Sequence, residues 1–358
     1  VEEVLMANGV HLHLGDTVKT IEGKGTVKKV VTTYGATIET DIVILAAGVR
    51  PNTELAKEIG VTIGATGAVA VNSKMQTNIQ DVYAVGDVAE SFSAITGKPI
   101  YRPLGSTANK MGRIAGDVIT GGNLEHRGVL GTGIFRVFDL HVGQTGMTEK
   151  EAKAAGYAVE VLYNIKPDHA EYLGGKELII KALADKATGR VLGAQILGSQ
   201  GVDKRIDVLA TAITFKAKAE DLFHLDLAYA PPFATTKDPI HYTGMALDNA
   251  LHGNPLMTPA RLVEMQQKGE SIQVIDTRSA KDFEKSHVQD AIHVPLGELR
   301  ARAGELSKYI PTVTYCNKGV TGNAAQNILI NLDFKEVYNL SGGNKNYQSY
   351  LIMLKRKN

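Results

Sequence analysis

The chain has 358 residues, of which 44% are hydrophobic and 22% charged, and its formal net charge is +1 at pH 7. This length predicts two or three domains of a soluble globular protein. So small a net charge disfavours nucleic acid or an anionic membrane as a partner, and no apolar run approaches the roughly 20 residues of a membrane span. The single cysteine, Cys316, excludes a disulfide within the chain and is typical of the reducing cytosol, so we expect a cytoplasmic location.

The N-terminal region contains β-rich runs that predict part of an α/β fold. Residues 26–33 and 37–45 flank Tyr-Gly-Ala at 34–36, which predicts a β-hairpin. The apolar residues 41–48 are typical of a strand that is buried on both faces. A further strand is predicted over residues 82–85.

That last strand ends in Gly86 and Asp87, and ligands of open α/β sheets bind at the carboxyl ends of the strands. A helix with apolar residues at helical spacing is predicted after Pro103, with Ser106 or Thr107 as its N-cap. Taken alone, the Gly-Asp pair is equally consistent with an ordinary turn.

Two motifs together resemble the flavin-dependent pyridine nucleotide–disulfide reductases: Ala-Ala-Gly-Val-Arg-Pro-Asn at 46–52 and Tyr-Ala-Val-Gly-Asp at 83–87. The resemblance implies FAD and NAD(P)H as cofactors, with Ala47 and Gly48 near the nicotinamide and Asp87 on the ribityl chain. The FAD-binding residues that it implies are Thr77, Ala84, Val85, Gly86, Asp87, Pro103, Leu104, Gly105, Thr107 and Tyr229.

No Gly-x-Gly-x-x-Gly lies between a strand and a helix in this sequence. In the family, the dinucleotide fingerprints and the redox cysteine lie upstream of the two motifs. We therefore expect a chain that lacks the family's N-terminal part and is incomplete for hydride transfer by itself.

The middle region, residues 128–248, changes to a mixed pattern of strands and helices. Thr148 and Glu151 form a capping-box pattern, and residues 203–216 predict a helix with Phe215 beside its apolar face. This region resembles the family's dimerisation domain, so a homodimer is implied.

Residues 229–239 and 169–172 resemble coenzyme A-disulfide reductases, in particular those fused to a rhodanese domain. The resemblance implies that Tyr229 and Tyr172 act at the disulfide site, where a phenol can protonate a leaving thiolate. It also implies that Asn109 and Lys237 contact coenzyme A. The alternatives are a packed loop anchor for the tyrosine and a solvated lysine.

Residues 249–257 are predicted to be a linker, after which Thr258 caps a helix with Pro259 in its first turn. No pair or cluster of histidine and carboxylate residues has the spacing of a metal site, so no metal is predicted. The predicted domains are a remnant of an NAD(P)-binding domain (1–50), part of an FAD-binding domain (51–127), a dimerisation domain (128–248) and a further α/β domain (257–358).

Cys316 lies between a predicted strand, residues 312–314, and a predicted helix, residues 323–329. Strand, short polar loop and helix is a geometry that directs backbone N–H groups at one atom, which favours a reactive thiolate. The alternative is a small buried hydrophobic side chain, the usual state of a lone cysteine.

The cysteine loop, with Asp276-Thr277-Arg278 and the segment 283–295, resembles the rhodanese sulfurtransferases. The resemblance implies that Cys316 carries sulfur as a persulfide and that Asp276 and Arg278 are a structural pair. It implies a persulfide-binding loop of Asn317, Lys318, Gly319, Val320, Thr321 and Gly322.

The predicted fold is thus α/β: Rossmann-like remnants, an α+β dimerisation domain and an α/β rhodanese domain. The predicted function is an FAD- and NAD(P)H-dependent reductase of CoA-disulfide, CoA-persulfide or polysulfide with a fused sulfurtransferase that also takes thiosulfate. A stand-alone sulfurtransferase on a dimer scaffold and an NADH oxidase remain as alternatives.

Overall fold

The structure, a computed structural model, describes residues 1–357, which form two compact units, residues 1–129 and residues 130–357. Within this described part of the chain, none of the helices has the length and apolar character that crossing a membrane requires.

The first unit consists of short elements. Its helices and strands are α1 (Glu2–Ala7), β1 (Val18–Glu22), β2 (Lys29–Thr32), β3 (Thr37–Glu39), α2 (Glu54–Glu58), β4 (Ser91–Phe92), β5 (Pro99–Ile100) and α3 (Gly105–Ile119). Strands β1, β2 and β3 form an antiparallel sheet, and β4 pairs with β5. The pairing of β2 with β3 confirms the predicted hairpin, although both strands are shorter than predicted.

The prediction of a buried strand over residues 41–48 is wrong. This run has no regular secondary structure, and Ile44 is 86% exposed. An apolar strand is buried only where neighbouring strands and helices cover it, and no strand of the first unit pairs with this run. The strand over residues 82–85 is also wrong, since Tyr83 makes only an isolated bridge to Gln76.

Helix α3 anchors the core of the first unit. Met111, Ile114 and Ala115 on its inner face pack with Met75 and Ala89. The prediction that Ser106 or Thr107 caps this helix is wrong, because the helix already begins at Gly105, and Leu104 at the N-cap makes no side-chain capping bond. The Thr107 side chain is instead buried on the inner face.

The second unit begins with an antiparallel sheet of order β6-β7-β10-β9-β8. Its elements are β6 (Gly133–Val137), β7 (Leu140–Gly146), α4 (Glu149–Ala154), β8 (Val159–Pro167), β9 (Glu177–Asp185), β10 (Val191–Gly198), α5 (Val202–Thr214), α6 (Ala219–Phe223) and α7 (Pro239–Leu251). The predicted capping box at Thr148 and Glu151 is confirmed. The prediction that Phe215 belongs to this helix, beside its apolar face, is wrong: the residue follows the last turn of α5 and is 80% exposed.

A parallel sheet of order β11-β15-β14-β12-β13 follows in the same unit. Its elements are β11 (Leu256–Met257), α8 (Pro259–Gln267), β12 (Gln273–Asp276), α9 (Ala280–Lys285), β13 (Ile292–His293), α10 (Leu299–Arg302), β14 (Thr312–Tyr315), α11 (Val320–Ile330), β15 (Val337–Leu340) and α12 (Gly343–Lys357). The predicted cap at Thr258 is confirmed by its bond to the N–H of Arg261.

The linker predicted over residues 249–257 is shorter than expected. Helix α7 runs to Leu251, and the buried Leu256 and Met257 form an edge strand of the parallel sheet. The polar and glycine-containing composition indicates the turn between these elements. It does not indicate the short apolar strand that follows the turn. The parallel sheet is covered on both faces, since one cluster packs around Leu329 and another around Val313.

Candidate active sites

Cys316 directly follows the central strand β14 at its carboxyl end, where parallel sheets bind ligands. The Gly319 N–H donates to Cys316 Sγ at 3.2 Å, and the cysteine is 7% exposed. Gly319 itself adopts a φ of +106°, a conformation that favours glycine, and it is the residue from which α11 begins. An N–H group aimed at sulfur and a helix N-terminus both stabilise a thiolate. The wider ring of N–H groups from Asn317 to Gly322 stays a prediction.

Asp276 and Arg278 form a buried ion pair behind this loop. Arg278 Nη2 donates to Asp276 Oδ2 at 2.6 Å, and Arg278 Nε donates to Oδ1 at 2.9 Å. The remaining nitrogen, Nη1, donates to the side-chain oxygen of Asn317 at 3.0 Å. The carboxylate thus orients the guanidinium, and the guanidinium holds the residue next to Cys316.

The N-terminal end of α12 holds the other side of the loop. The N–H of Asn344 donates to the carbonyl of Cys316 at 2.8 Å, and the N–H of Lys345 donates to the carbonyl of Asn317 at 3.1 Å. Gly343 permits this approach, because a Cβ there would lie 2.3 Å from the Cys316 carbonyl oxygen. The sequence analysis missed this contact, although the consecutive glycines 342 and 343 before a helix were a usable signal.

Asn339, at the end of β15, is a further residue that the sequence analysis missed. Its Nδ2 donates to the Gly319 carbonyl at 3.0 Å and so helps to fix the residue whose N–H donates to the sulfur. Its Oδ1 is buried and accepts no hydrogen bond from the residues that the structure describes. The loop packs closely here, since a Cβ on Gly322 would lie 2.5 Å from Asn339 Oδ1 and 3.0 Å from Tyr315 Cα.

Lys318 points from the loop toward the antiparallel sheet. It pairs with Glu177 at 2.7 Å, and Lys345 pairs with the same carboxylate. Burial alone would raise the pKa of Glu177, but hydrogen bonds from Lys318 and Lys345 lower it below its ordinary value. Lys318 and Lys345 share this one carboxylate, which offsets part of the charge on each.

The two predicted tyrosine segments of the second unit lie side by side. The N–H of Ala170 donates to the carbonyl of Pro231 at 3.3 Å, which joins the Tyr172 turn to the Tyr229 loop. Both tyrosines are exposed, at 79% for Tyr172 and 51% for Tyr229. The base of the Tyr172 turn is rigid, because the buried Arg205 donates to the carbonyl of Asp168 at 2.6 Å.

Lys237 lies on the same face, where it lines a cavity of about 270 Å³ together with Lys166, Tyr242 and Lys318. This cavity therefore brings the predicted coenzyme A contact close to the predicted persulfide loop. Nothing in the local sequence around Lys166 or Tyr242 pointed to this arrangement.

The predicted FAD-binding residues of the first unit fall into two segments that pack together. A Cβ on Gly86, whose φ is +75°, would lie 3.5 Å from the Cβ of Ala108 in the second turn of α3. Asp87 beside it is exposed, and Tyr101 donates to its backbone carbonyl at 2.9 Å. Burial, with a smaller contribution from Asp87, raises the pKa of Tyr101.

The other predicted residues of this unit differ in how they are held. Thr77 Oγ1 donates to the Val82 carbonyl at 2.9 Å, and the N–H of Ala84 donates to the Met75 carbonyl at 3.1 Å. Asn109 donates back to the Gly105 carbonyl of its own helix at 3.0 Å. Ala47 and Gly48 are exposed in the irregular segment. Within residues 1–357 no group of three histidine, cysteine or carboxylate residues is arranged to hold a metal ion.

Three known domain families match the chain in succession. They are the pyridine nucleotide-disulphide oxidoreductase family over residues 1–110, its dimerisation domain over 134–239 and the rhodanese-like domain over 258–350.

Named relatives agree with these matches. The chain is 46% identical over 243 residues to the CoA-dependent NAD(P)H sulfur oxidoreductase of Pyrococcus furiosus, an alignment that covers 67% of this chain and 54% of that protein. It is 32% identical over 207 residues to the coenzyme A disulfide reductase of Staphylococcus aureus, covering 57% of this chain and 47% of that one. The chain thus spans about half the length of the relatives that it matches.

Two solved structures resemble the whole fold. The reduced CoADR-RHD protein of Bacillus anthracis superposes with a TM-score of 0.93 at 34% identity, covering 98% of this chain and 63% of that one. The NAD-dependent persulfide reductase of A. fulgidus gives a TM-score of 0.84 at 35% identity, with coverages of 97% and 63%.

Proposed function

We propose that this chain, which belongs to the pyridine nucleotide-disulphide oxidoreductase family and contains a rhodanese-like domain, serves an FAD- and NAD(P)H-dependent reductase of sulfur–sulfur bonds. Its substrates would be CoA-disulfide, CoA-persulfide or polysulfide, and Cys316 would carry sulfane sulfur. The names of the relatives support this activity over a stand-alone sulfurtransferase or an NADH oxidase.

The observation that carries the proposal is the position of Cys316. Its sulfur accepts the Gly319 N–H at the carboxyl end of β14, and the buried pair of Asp276 and Arg278 holds the next residue of the loop. The thiolate would attack the outer sulfur of a donor such as thiosulfate. The donor's S–S bond breaks, sulfite leaves with the bonding pair, and the new bond gives a Cys316 persulfide.

An acceptor thiolate then attacks the outer sulfur of that persulfide, and Cys316 leaves as the thiolate with which the cycle began. The Gly319 N–H would stabilise negative charge on the cysteine sulfur at both stages. Both half-reactions are displacements at sulfur and need no net reduction.

The residues of the first unit fit a flavin by the chemistry of their donors and acceptors. Asp87 offers an exposed carboxylate that could accept from a ribityl hydroxyl, and the N-terminal end of α3 offers N–H groups beside it. FAD, when bound, supplies electron transfer from NAD(P)H. Ala47 and Gly48 would lie near the nicotinamide.

In the second unit, Tyr229 and Tyr172 would donate to a leaving thiolate, and their exposure leaves them open to a substrate or a partner subunit. Lys237, and Asn109 from the first unit, would contact coenzyme A. The match to a dimerisation domain supports a homodimer, and the single cysteine supports a cytoplasmic location.

The Cys316→Ser substitution tests this function. We expect it to abolish sulfur transfer from thiosulfate to cyanide and to leave flavin absorbance and flavin reduction by NADH unchanged in the complete, flavin-loaded protein. Tyr309→Phe, at an exposed site of the same domain, is the matched control. It should retain sulfur transfer, flavin absorbance and reaction with NADH. Sulfur transfer by Cys316→Ser at the wild-type rate would contradict the proposal.

A further inference from the structure

A cavity of about 140 Å³ lies between the antiparallel sheet and the Cys316 loop. Lys166 on β8 and Tyr242 on α7 line one side of it, and Lys318 and Gly319 of the loop line the other. Gly319 is the residue whose N–H binds the cysteine sulfur. The cavity therefore lies beside the residue that binds the reacting sulfur, and two domains form its walls.

Lys166 is the cation of this cavity whose charge is least compensated. Its ammonium lies 4.1 Å from the centre of the Tyr242 ring, an aromatic partner rather than an ionic one. In the described residues no carboxylate lies within ion-pair distance of it, whereas Lys318 is paired with Glu177 at 2.7 Å. Partial burial lowers the pKa of Lys166, the Cys316 thiolate raises it, and Lys318 lowers it. Lys166 therefore feels the charges of both loop residues.

The strand that carries Lys166 is fixed to the rhodanese-like domain. The Tyr163 N–H of β8 donates to Ser341 Oγ at 2.7 Å, and Glu160 of β8 accepts from the Leu256 N–H at 3.1 Å. Ser341 directly precedes the glycine turn that leads into α12, whose first turns bind the carbonyls of Cys316 and Asn317. The position of the ammonium relative to the loop is thus set by hydrogen bonds rather than by a flexible linker.

We propose that Lys166, contributed by the dimerisation domain, is a specificity-determining residue of the Cys316 site that selects anionic sulfur donors and acceptors. This inference rests on the sulfurtransferase activity proposed above. An oxyanion group, such as the sulfonate end of thiosulfate, would occupy the cavity between Lys166 and the loop, with its outer sulfur toward Cys316. An anion there supplies the ionic partner that the half-buried ammonium lacks.

Alkylation of Cys316 measures this effect without any sulfur transfer. Iodoacetate is anionic and iodoacetamide is neutral, yet both attack the same thiolate, so the ratio of their rates reports the local positive charge. We expect Lys166→Met to lower that ratio roughly three- to tenfold at low salt. Rates are followed by mass spectrometry of the peptide that contains Cys316.

Three comparisons keep the result specific. Lys166→Arg should retain most of the wild-type ratio, since it keeps the charge. Lys150→Met, which removes an exposed lysine of the same domain, should leave the ratio unchanged. For turnover, Lys166→Met should raise the KM for thiosulfate by a similar factor, with kcat nearly unchanged. Methionine keeps most of the side-chain volume, and circular dichroism checks the fold.

An unchanged reagent ratio in folded Lys166→Met would overturn the proposal. So would an equal decrease in Lys150→Met, because the effect would then be one of net charge. If the wild-type protein forms no persulfide on Cys316 from thiosulfate, the sulfurtransferase function fails. The reagent ratio would still show separately whether Lys166 creates an anion-selective site.

Discussion

Residues 41–48 of the first unit lead into the family motif at 46–52, and residues 312–322 of the second unit contain the rhodanese-like cysteine loop, yet the two segments differ in structure. The first run is irregular and exposed, whereas the second is a buried central strand followed by a loop held on several sides. Strands β12 and β15 flank β14. The cysteine loop is contacted by Arg278 just after β12, by Asn339 of β15 and by the first turn of α12. A motif thus becomes a site only where neighbouring elements supply its partners, and four predictions test or sharpen this difference.

The largest expected effect is at Asp276. Asp276→Ala leaves the buried Arg278 guanidinium without its carboxylate, which should lower the free energy of unfolding by about 3–5 kcal/mol. Asp41→Ala, at the exposed start of the 41–48 run, should change it by less than about 0.5 kcal/mol. Urea denaturation followed by circular dichroism measures both. Similar losses of unfolding free energy in the two variants would contradict the claim that the cysteine loop is supported by its neighbours and the 41–48 run is not.

Gly322→Ala should disturb the loop itself. The new Cβ would lie 2.5 Å from Asn339 Oδ1 and 3.0 Å from Tyr315 Cα, so the start of α11 must shift. Overpacking of this kind costs about 1–3 kcal/mol, and we expect sulfur transfer to fall roughly ten- to hundredfold. Gly116→Ala in α3 is the control: nothing lies within 4 Å of its added Cβ, and helix propensity favours alanine. A Gly322→Ala protein with the wild-type rate would show that the loop is not tightly held.

A smaller effect is expected from pH. Burial and Lys318 hold the pKa of Lys166 below the ordinary lysine value of 10.5, so its charge should be lost at a lower pH than that of a free lysine. The iodoacetate to iodoacetamide ratio at Cys316 should therefore decline as pH rises toward that value, and Lys166→Met should lack this decline. The thiolate's own ionisation cancels in the ratio.

Other titratable groups near Lys166 set the background for that titration. The groups that line the two cavities are Lys318, Lys237, Glu171, Tyr163 and Tyr242. Glu177 pairs with Lys318, and Cys316 acts on Lys166 through its charge. An identical pH profile in the wild-type protein and in Lys166→Met would assign the decline to one of these groups.

The smallest effect is expected at Ile44. Its side chain is 86% exposed, so Ile44→Asp should change the free energy of unfolding by no more than about 0.5 kcal/mol. If residues 41–48 formed the buried strand that the sequence predicts, the substitution would lower the free energy of unfolding several times more. A large loss, measured by the same denaturation experiment, would mean that this run is covered in the folded protein.

The sequence predicted elements best where the determinants are local. The capping box at Thr148 and the proline-containing start of α8 depend on residues within one turn, and both are confirmed. The strand over 41–48 was wrong because apolar composition cannot reveal whether partner strands are present. The Ser106 or Thr107 cap was wrong because burial of Thr107 is a tertiary effect.

The site follows the same rule. Cys316, Asp276 and Arg278 could be identified from the sequence because the segments that carry them resemble those of rhodaneses. Asn339 and Lys166 could not, because each reaches the loop from an element far away in the chain. Their roles depend on strand order and on the packing of one sheet against another, which no local pattern encodes.

The central claim is that Cys316 carries sulfane sulfur, and peptide mass spectrometry after incubation with thiosulfate tests it most directly. We expect the Cys316 peptide to gain the mass of one sulfur atom and to lose it on addition of cyanide, with thiocyanate as the product. A Cys316 peptide that stays unmodified while the protein still converts cyanide to thiocyanate would contradict the account.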